Sequence, residues 1–173
     1  MKFDPSIVQT SFQSPLGPMT LAATHAGLAG VWFGGQRHLP DELTSPSNWP
    51  ASASHPVLKK TAQQLTEYFA GQRSDFELEL DLSGGTAFQQ AVWQALLGIA
   101  PGQTSSYGSI SKTIGNAAAV RAVGAAVGRN PVSIIVPCHR VLGSSGSLTG
   151  YAGGLDRKTA LLKLEGALAE NLL

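Results

Sequence analysis

The order of strand-like and helix-like segments is the feature that most constrains the fold of this chain. Three short segments rich in β-forming residues come first, separated by turns that contain Gly or Pro: 8–12, 19–23 and 28–33. An amphipathic helix is predicted from Leu58 to about Gly71, and alternating apolar and acidic residues over 76–82 predict a half-buried strand. Helical spacing dominates after that. The sequence therefore predicts an α/β protein of the α+β kind, a small sheet with one helix followed by a mostly helical region.

The length of 173 residues allows one domain or two small ones. Ser83-Gly84-Gly85 punctuates the chain between the two regions, and we place the boundary there. The prediction is an N-terminal domain of sheet and helix over 1–83 and a C-terminal helical domain over 86–173. Within the first domain, the stretch 40–56 holds four prolines, which favours a surface loop over a regular element.

Composition narrows the class of protein. With 43% apolar and 13% charged residues, the chain is not typical of a disordered protein. No apolar run reaches the roughly 18 residues that a membrane span needs, and residues 1–10 lack the pattern of a secretion signal. Lys and Arg number six against eight acids over 1–115, and six against three over 116–173. A modestly basic second half suits contact with a few phosphates, and a single cysteine suits the reducing cytoplasm.

Two short helices are predicted in the second half, over 107–114 and from Ala117 to about Val127, joined by a turn at Gly115-Asn116. This pattern is typical of a helix-turn-helix unit. The second helix consists mostly of small residues, and Arg121 is its only long polar side chain. Small residues let another surface approach closely. Packing against a neighbouring helix of the same protein explains them as well as an external partner does.

The remaining predicted elements flank the single cysteine. Thr86 and Gln89 form a capping box for a helix that precedes the helix-turn-helix unit. A buried strand over 134–136 delivers Cys138, and a last helix begins with Asp156 as its N-cap. The cysteine is thus expected just past a strand end, where a side chain can face a cleft.

A lone cysteine is often buried filler, because its thiol behaves as a small hydrophobe. The surroundings of Cys138 favour a chemical role, since His139 and Arg140 follow it directly and positive or ionisable neighbours favour the reactive thiolate. Consecutive side chains of an extended chain point to opposite sides. His139 therefore reaches Cys138 directly only if the backbone turns, and otherwise through a bridging water.

A catalytic histidine needs a group that orients it, and the basic half offers only Asp156, Glu165 and Glu170. Glu165 is the best of the three, because it lies on the last amphipathic helix beside leucines, where an unpaired carboxylate is costly. A surface position in the last helical turn is the alternative for Glu165. Asn130 precedes a proline, and a turn-forming role is its simplest interpretation.

Five motifs stand in the second half in a fixed order: Ala-Val-Arg-Ala-Val-Gly at 119–124, Gly-Arg-Asn-Pro at 128–131, Pro-Cys-His-Arg-Val at 137–141, Tyr-Ala-Gly-Gly at 151–154 and Leu-Glu-Gly at 164–166. Together they resemble the O6-alkylguanine-DNA alkyltransferases. The resemblance runs from about Phe88 to Gly166 and extends more weakly to 15–18.

This resemblance implies a DNA repair protein that takes an alkyl group from O6 of guanine, and less readily from O4 of thymine, onto its own cysteine. Cys138 would accept the group, His139 would deprotonate the thiol through a water, and Glu165 would hold the imidazole. Asn130 would brace the turn that carries the cysteine, and Tyr107 would relay a proton as guanine leaves. A thioether has no leaving group that water displaces under mild conditions, so turnover is not expected.

The resemblance also implies how DNA is bound. The helix from Ala117 would lie in the minor groove, with Arg121 in the space of a flipped nucleotide. The other expected DNA contacts are Ala119, Val120, Ala122, Gly124, Tyr107 and Ser144. The expected contacts to the alkylated base are Val141, Tyr151, Ala152 and Gly153.

Two departures from the family pattern bear on these expectations. Ala152 stands where some relatives have serine, which is tolerable if only its backbone N–H contacts O6. The cysteines and histidines that hold an N-terminal zinc in some relatives are missing, so no metal or other cofactor is expected. The expected partner is double-stranded DNA containing O6-alkylguanine, bound by a cytoplasmic monomer without membrane contact.

Two other functions remain as alternatives. A cysteine hydrolase would use a Cys/His/Asn set, but no oxyanion loop is recognisable in the sequence. A non-enzymatic helix-turn-helix protein that binds DNA lesions would resemble the same family. Such proteins lack the acceptor cysteine, whereas Cys138 is present.

Overall fold

The computed structural model describes residues 1–43 and 49–168. The chain divides into two compact units, an N-terminal unit of Met1–Thr86 with Pro131–Ser133 and a C-terminal unit that holds the rest of the described chain. Within the described residues, no helix is both long and apolar enough to cross a membrane.

A three-stranded antiparallel sheet forms the centre of the N-terminal unit. Its strands are β1 (Val8–Ser14), β2 (Gly17–Thr24) and β3 (Gly27–Phe33), in the order β1-β2-β3. The predicted meander is therefore confirmed. The predicted helix is also confirmed as α1 (Pro56–Phe69), which buries Leu58 and Leu65 at the positions that its periodicity indicates.

The proline-rich stretch 40–56 is only partly the surface loop that its composition predicts, and its residues 44–48 lie outside the described chain. A single 3-10 turn forms at Asp41–Leu43. Trp49 is 8% exposed and packs against Trp32 and Phe3, with ring centroids 5.8 and 5.1 Å away. The prediction of a surface loop is wrong for this residue, because a large aromatic side chain stabilises the fold more when it is buried.

Residues 76–82 do not form the regular strand that their alternation predicts. They make one bridge to β3, in which the Leu28 N–H donates to Glu79 O and the Asp81 N–H donates to Leu28 O, both at 2.8 Å. Earlier in this segment, Gln64 Nε2 donates to Glu77 O and the Glu77 N–H donates to Gln64 Oε1, so the backbone of Glu77 is not available to a strand partner. Gly27 permits the close approach, since a Cβ there would lie 2.6 Å from Glu79 O.

Helices dominate the C-terminal unit. They are α2 (Ala87–Leu96), α3 (Tyr107–Thr113), α4 (Val120–Gly128) and α5 (Leu155–Leu164), and a short parallel pair joins β4 (Ser105–Ser106) to β5 (Val141–Leu142). Trp93 is fully buried and its indole N–H donates to Ala126 O at 2.8 Å, which ties α2 to α4. Helices α3 and α4 form the predicted helix-turn-helix unit.

Two predicted helix starts are wrong. Helix α4 begins at Val120 rather than Ala117, because a turn in which the Ala119 N–H donates to Asn116 O precedes it. Helix α5 has Gly154 as its N-cap instead of Asp156. Gly154 has a φ of +93°, which glycine adopts without strain, and Asp156 lies in the first turn, where the helix dipole favours a negative charge.

The predicted buried strand over 134–136 is wrong, although all three residues are buried. Both the Asn130 side chain and the Cys138 N–H donate to Val136 O at 2.8 Å, so the backbone pairs locally and the chain turns. Ile134 has a φ of +74°, a left-handed conformation that costs a β-branched residue about 1–3 kcal/mol. The chain that leads to the cysteine is therefore held in place by its surroundings.

Candidate active site

Cys138 opens a single turn of 3-10 helix, Cys138–Arg140, which we name the cysteine turn. The backbone of this turn is closed by the Arg140 N–H, which donates to Pro137 O at 3.0 Å. The chain is thus not extended at this point, and the alternation of side chains that would separate Cys138 from His139 does not apply. Cys138 itself is 5% exposed.

Asn130 donates a hydrogen bond from its Nδ2 to the sulfur of Cys138, at 3.1 Å. The same nitrogen donates to Val136 O, so Asn130 connects the sulfur to the chain that precedes it. Burial raises the pKa of the Cys138 thiol to about 11, although Asn130 and the charge of Lys158 act in the opposite direction. The thiol is therefore protonated at neutral pH, and a base is needed to form the thiolate.

His139 and Glu165 form a buried pair. Their atoms Nε2 and Oε2 lie 2.8 Å apart, and the two side chains are 0% and 2% exposed. Because a carboxylate can only accept a hydrogen bond, Nε2 carries the proton and Nδ1 holds the basic lone pair. Nδ1 has no hydrogen-bond partner among the described residues. Burial lowers the pKa of His139, so the imidazole is neutral at pH 7 and can take a proton.

Arg140 has a different position from the one that the sequence indicates. Its guanidinium does not serve the thiolate but binds both oxygens of Glu165, with Nε to Oε1 at 2.8 Å and Nη2 to Oε2 at 2.9 Å. It also donates to Ile99 O. Such a bidentate pair holds the carboxylate ionised and fixes its orientation toward His139.

Of the other two carboxylates considered as partners of His139, only Asp156 lies within the described residues, and it does not pair with the imidazole. Asp156 is exposed at the start of α5, and Glu170 lies outside the described residues. Glu165 occupies the C-cap of α5 and, contrary to the alternative of a surface position, its side chain is buried.

Lys158 is the polar residue of this site that sequence reasoning missed. It is fully buried on α5, and its Nζ donates to Val141 O at 2.6 Å, Thr149 O at 2.9 Å and Gly150 O at 3.2 Å. A signal was present, because Lys158 shares one helical stripe with the buried Leu161 and Leu162 and with Glu165. A lysine on an apolar stripe indicates either a buried cation or a break in the stripe.

Several of the residues expected to contact a base surround the chain after the cysteine turn. Val141 is fully buried in β5, and Tyr151 is buried with its ring centroid 6.5 Å from that of His139. Tyr107, at the start of α3, is half-buried and its hydroxyl donates to Thr149 O at 3.4 Å. Burial raises the pKa of Tyr107, so its phenol keeps its proton at neutral pH.

The remaining base-contacting and loop candidates follow along the chain. Ala152 is half-buried and Gly153 is buried, and Gly153 O accepts a hydrogen bond from Arg157 Nη1 at 3.2 Å. Ser144 is exposed in the loop 143–150. Tyr107 and Lys158 both donate to the carbonyl of Thr149, which belongs to this loop.

Helix α4 has one buried and one exposed face. Val123, Ala126 and Val127 are buried, so close packing between helices explains part of its small-residue content. The opposite face is exposed at Val120, Arg121 and Ala122. Ala119 is the N-cap of α4, and Gly124 lies against the ring of Tyr107, with an added Cβ 3.9 Å from Cδ1. The side chain of Arg121 makes no hydrogen bond or ion pair with any described residue, which argues against a purely internal role.

Comparisons with known proteins agree over both units. The DNA-binding domain of 6-O-methylguanine DNA methyltransferase matches residues 87–167, and the ribonuclease-like domain of the same proteins matches residues 7–82. The methylated-DNA-protein-cysteine methyltransferases of Mycobacterium tuberculosis and Methanosarcina acetivorans are 48% and 47% identical to this chain, over 90% of its length and over 90% and 96% of theirs.

Solved structures give the same result. The crystal structure of the Mycobacterium tuberculosis O6-methylguanine methyltransferase has a TM-score of 0.81 at 45% identity and covers 95% of this chain and 96% of that one. The structure of the Mycobacterium tuberculosis OGT in complex with DNA has a TM-score of 0.79 at 48% identity, with 91% of each chain covered. On both sequence and fold, this chain belongs to the methylated-DNA-protein-cysteine methyltransferase family.

Proposed function

We propose that this protein repairs alkylated DNA by direct reversal, moving one alkyl group, above all methyl, from O6 of guanine to Sγ of Cys138. O4-alkylthymine is a second and poorer substrate. The observation that carries the proposal is the buried thiol of Cys138 in one turn with a neutral His139 that Glu165 orients, in a chain of this family. A nucleophile beside an oriented base is the arrangement that covalent catalysis needs.

In the first step, the Cys138 thiol loses its proton to Nδ1 of His139 through an intervening water. The Nδ1 lone pair is available because Nε2 donates to Glu165, and Glu165 stabilises the imidazolium that forms. The thiolate then attacks the alkyl carbon. The S–C bond forms as the C–O6 bond breaks, and the electron pair of the broken bond goes to the guanine.

The departing guanine needs a proton, because its anion is a poor leaving group. Tyr107 is the residue that we assign to this proton relay, since its raised pKa keeps the phenol protonated. The main chain at Cys138, Val141 and Ala152 reads the remaining edges of the base, with Tyr151 and Gly153 beside them. The product is a thioether at Cys138, which makes each molecule react once.

In this proposal the exposed face of α4 binds the DNA. Small residues at Ala119, Ala122 and Gly124 let α4 approach a minor groove about 6 Å wide. Val120, at the start of the helix, contacts the DNA as well. Arg121 fills the space of the flipped nucleotide, and Ser144 and Tyr107 make further contacts. Residues 86–173 thus carry the DNA contacts and the chemistry, and the protein acts as a cytoplasmic monomer.

Replacing Glu165 by glutamine is expected to slow single-turnover transfer at neutral pH by about 10²-fold or more, a typical contribution of a positioned base. Glu165 raises the pKa of His139 by hydrogen bond and by charge, so its loss makes His139 a weaker base. The acid inflection of the rate should therefore move to lower pH. The rate is measured from acid to neutral pH on methylated duplex.

The control for this variant is Glu79→Gln, the same change at an exposed position of the N-terminal unit. It should leave both the rate and its pH profile as in the wild type. An unchanged profile in the folded Glu165→Gln variant would show that Glu165 does not act through His139.

A labelled methyl group separates the three candidate functions. Duplex DNA with O6-[³H]methylguanine is incubated with an excess of protein, and the label is followed in DNA, protein and solvent. Direct reversal moves the label to the protein and restores guanine in the duplex. A hydrolase would release the label to the solvent, and a lesion-binding protein would leave it in the DNA, and either result would contradict the proposal.

A further inference from the structure

The buried ammonium of Lys158 has no role in the steps described so far. A lysine side chain is rarely buried completely, because its charge loses the hydration that stabilises it in water. Lys158 is 0% exposed, and among the described residues no carboxylate lies within ion-pair distance of its Nζ. Burying a cation without a carboxylate partner costs desolvation free energy. A residue that is buried in spite of this cost is a candidate for a functional role.

The three hydrogen bonds that the Lys158 ammonium donates to described residues all go to the chain that follows the cysteine turn. Val141 O belongs to β5, directly after the cysteine turn, and Thr149 O and Gly150 O belong to the far end of loop 143–150. An ammonium donates three hydrogen bonds, so all its protons are used. Thr149 and Gly150 are otherwise exposed, and Lys158 thereby fastens both ends of this loop to α5.

The positive charge of Lys158 also acts on the nucleophile. Two charges in a water-poor interior interact more strongly than on a surface. The Lys158 charge lowers the pKa of the Cys138 thiol, and a negative charge on Cys138 in turn raises the pKa of Lys158. Lys158 acts against protonation of His139 as well, but it is the smallest of the influences there, whereas Glu165 contacts the ring directly.

We propose that Lys158 is a positioning residue of the transfer reaction, with one buried ammonium that stabilises the Cys138 thiolate as it forms and fixes loop 143–150 beside the cysteine turn. The inference rests on the proposed function. One ammonium thus has two effects, because it stabilises the thiolate of Cys138 and also holds loop 143–150. Loss of the Lys158 charge should therefore affect the nucleophile and the loop together. The carbonyl of Thr149 extends this coupling to Tyr107, whose hydroxyl shares it.

The test uses two neutral variants of the full chain. Lys158→Met keeps the length of the side chain but removes the charge and the donors, and Lys158→Gln removes the charge but keeps two N–H donors. Lys163→Met is the matched control, because Lys163 lies in the last turn of the same helix and is only half-buried. Circular dichroism establishes that each variant is folded.

The first readout is the rate at which iodoacetamide alkylates Cys138 at neutral pH. It reports the nucleophilicity of the thiol without DNA, so it does not depend on the proposed function. Both neutral variants should react about tenfold more slowly than the wild type, the effect of about one unit in the thiol pKa, and the control should not. Wild-type rates in both neutral variants would overturn the electrostatic part of the inference.

The second readout is single-turnover transfer from methylated duplex. Lys158→Met should be slower than Lys158→Gln by a further factor of about ten, because it also loses the donors that hold loop 143–150. Equal rates in the two variants would overturn the loop part. If the wild type itself transfers nothing, the proposed function fails, while the iodoacetamide result still decides the role of Lys158.

A measurement on the wild type keeps the inference testable if neither neutral variant folds. Burial lowers the pKa of Lys158 to about 8, so its ammonium loses the proton as the pH rises through that value. Cys138 and Tyr107, which face the same site, stay protonated there, and His139 stays neutral. Hydrogen exchange of 143–151, corrected for its intrinsic pH dependence, should accelerate above pH 8 while α2 stays protected. Unchanged protection of 143–151 would overturn the proposal.

Discussion

Replacing Cys138 by serine is expected to abolish alkyl transfer and to leave affinity for alkylated duplex within about twofold of the wild type, since phosphate and groove contacts supply binding. The serine hydroxyl has a much higher pKa than a thiol, and burial lowers the pKa of His139, so this base forms far less alkoxide than thiolate. Transfer is measured with labelled duplex, and affinity by fluorescence anisotropy on methylated and unmodified DNA.

The hydrogen bonds of Asn130 should keep the native backbone in this variant. Asn130 donates to Val136 O independently of the sulfur, and a serine oxygen can replace the sulfur as its second acceptor. Folding is checked by thermal unfolding. More than a trace of transfer by folded Cys138→Ser would remove Cys138 from the role of acceptor and with it the proposed function.

Replacing Arg121 by alanine is expected to slow repair of duplex DNA by about 10–100-fold, since a group that stabilises a flipped nucleotide contributes up to a few kcal/mol. Arg121 is exposed on α4, and no described residue pairs with it, so its loss should not affect the fold. The reaction with a free O6-alkylguanine base needs no flipping. Its rate should be almost unchanged, because Cys138, His139 and Glu165 are intact.

Arg129→Ala is the matched control, because it removes the same charge from an exposed position at the other end of α4. It should weaken duplex binding slightly and in a salt-dependent way, without slowing the single-turnover rate at saturating protein. Equal losses of Arg121→Ala on duplex and free base would mean that Arg121 does not act on the flipped nucleotide.

The sequence predicts those parts of the fold that depend on local periodicity. Helix α1 and the meander follow from the spacing of apolar residues, and the structure confirms them. The segment 134–136 has the composition of a buried strand, but a side chain from outside it, Asn130, occupies its carbonyl at Val136. A side chain that pairs with the backbone of a neighbouring segment leaves no periodic signal in the sequence, and this is why the strand prediction fails there.

In the candidate site, too, the sequence predicts some residues and misses those whose positions depend on tertiary contacts. Cys138, His139 and Glu165 are identifiable from residue chemistry and from a motif, and the structure brings the last two within 2.8 Å. The positions of Arg140 and Lys158 depend on tertiary contacts: Arg140 lies beside Cys138 in sequence yet binds Glu165. Lys158 contacts three carbonyls whose sequence distance from it ranges from 8 to 17 residues. Proximity in sequence is a poor guide to which charge a buried side chain meets.

The central claim is that Cys138 itself accepts the alkyl group, and mass spectrometry after incubation with O6-methylguanine duplex tests it most directly. The intact protein should gain the mass of one methyl group in place of one hydrogen and no more at any excess of DNA. After trypsin, the gain should lie on the peptide 130–140, which holds the single cysteine of the chain. An unmodified protein beside repaired DNA, or a methyl group on any other residue, would contradict the account.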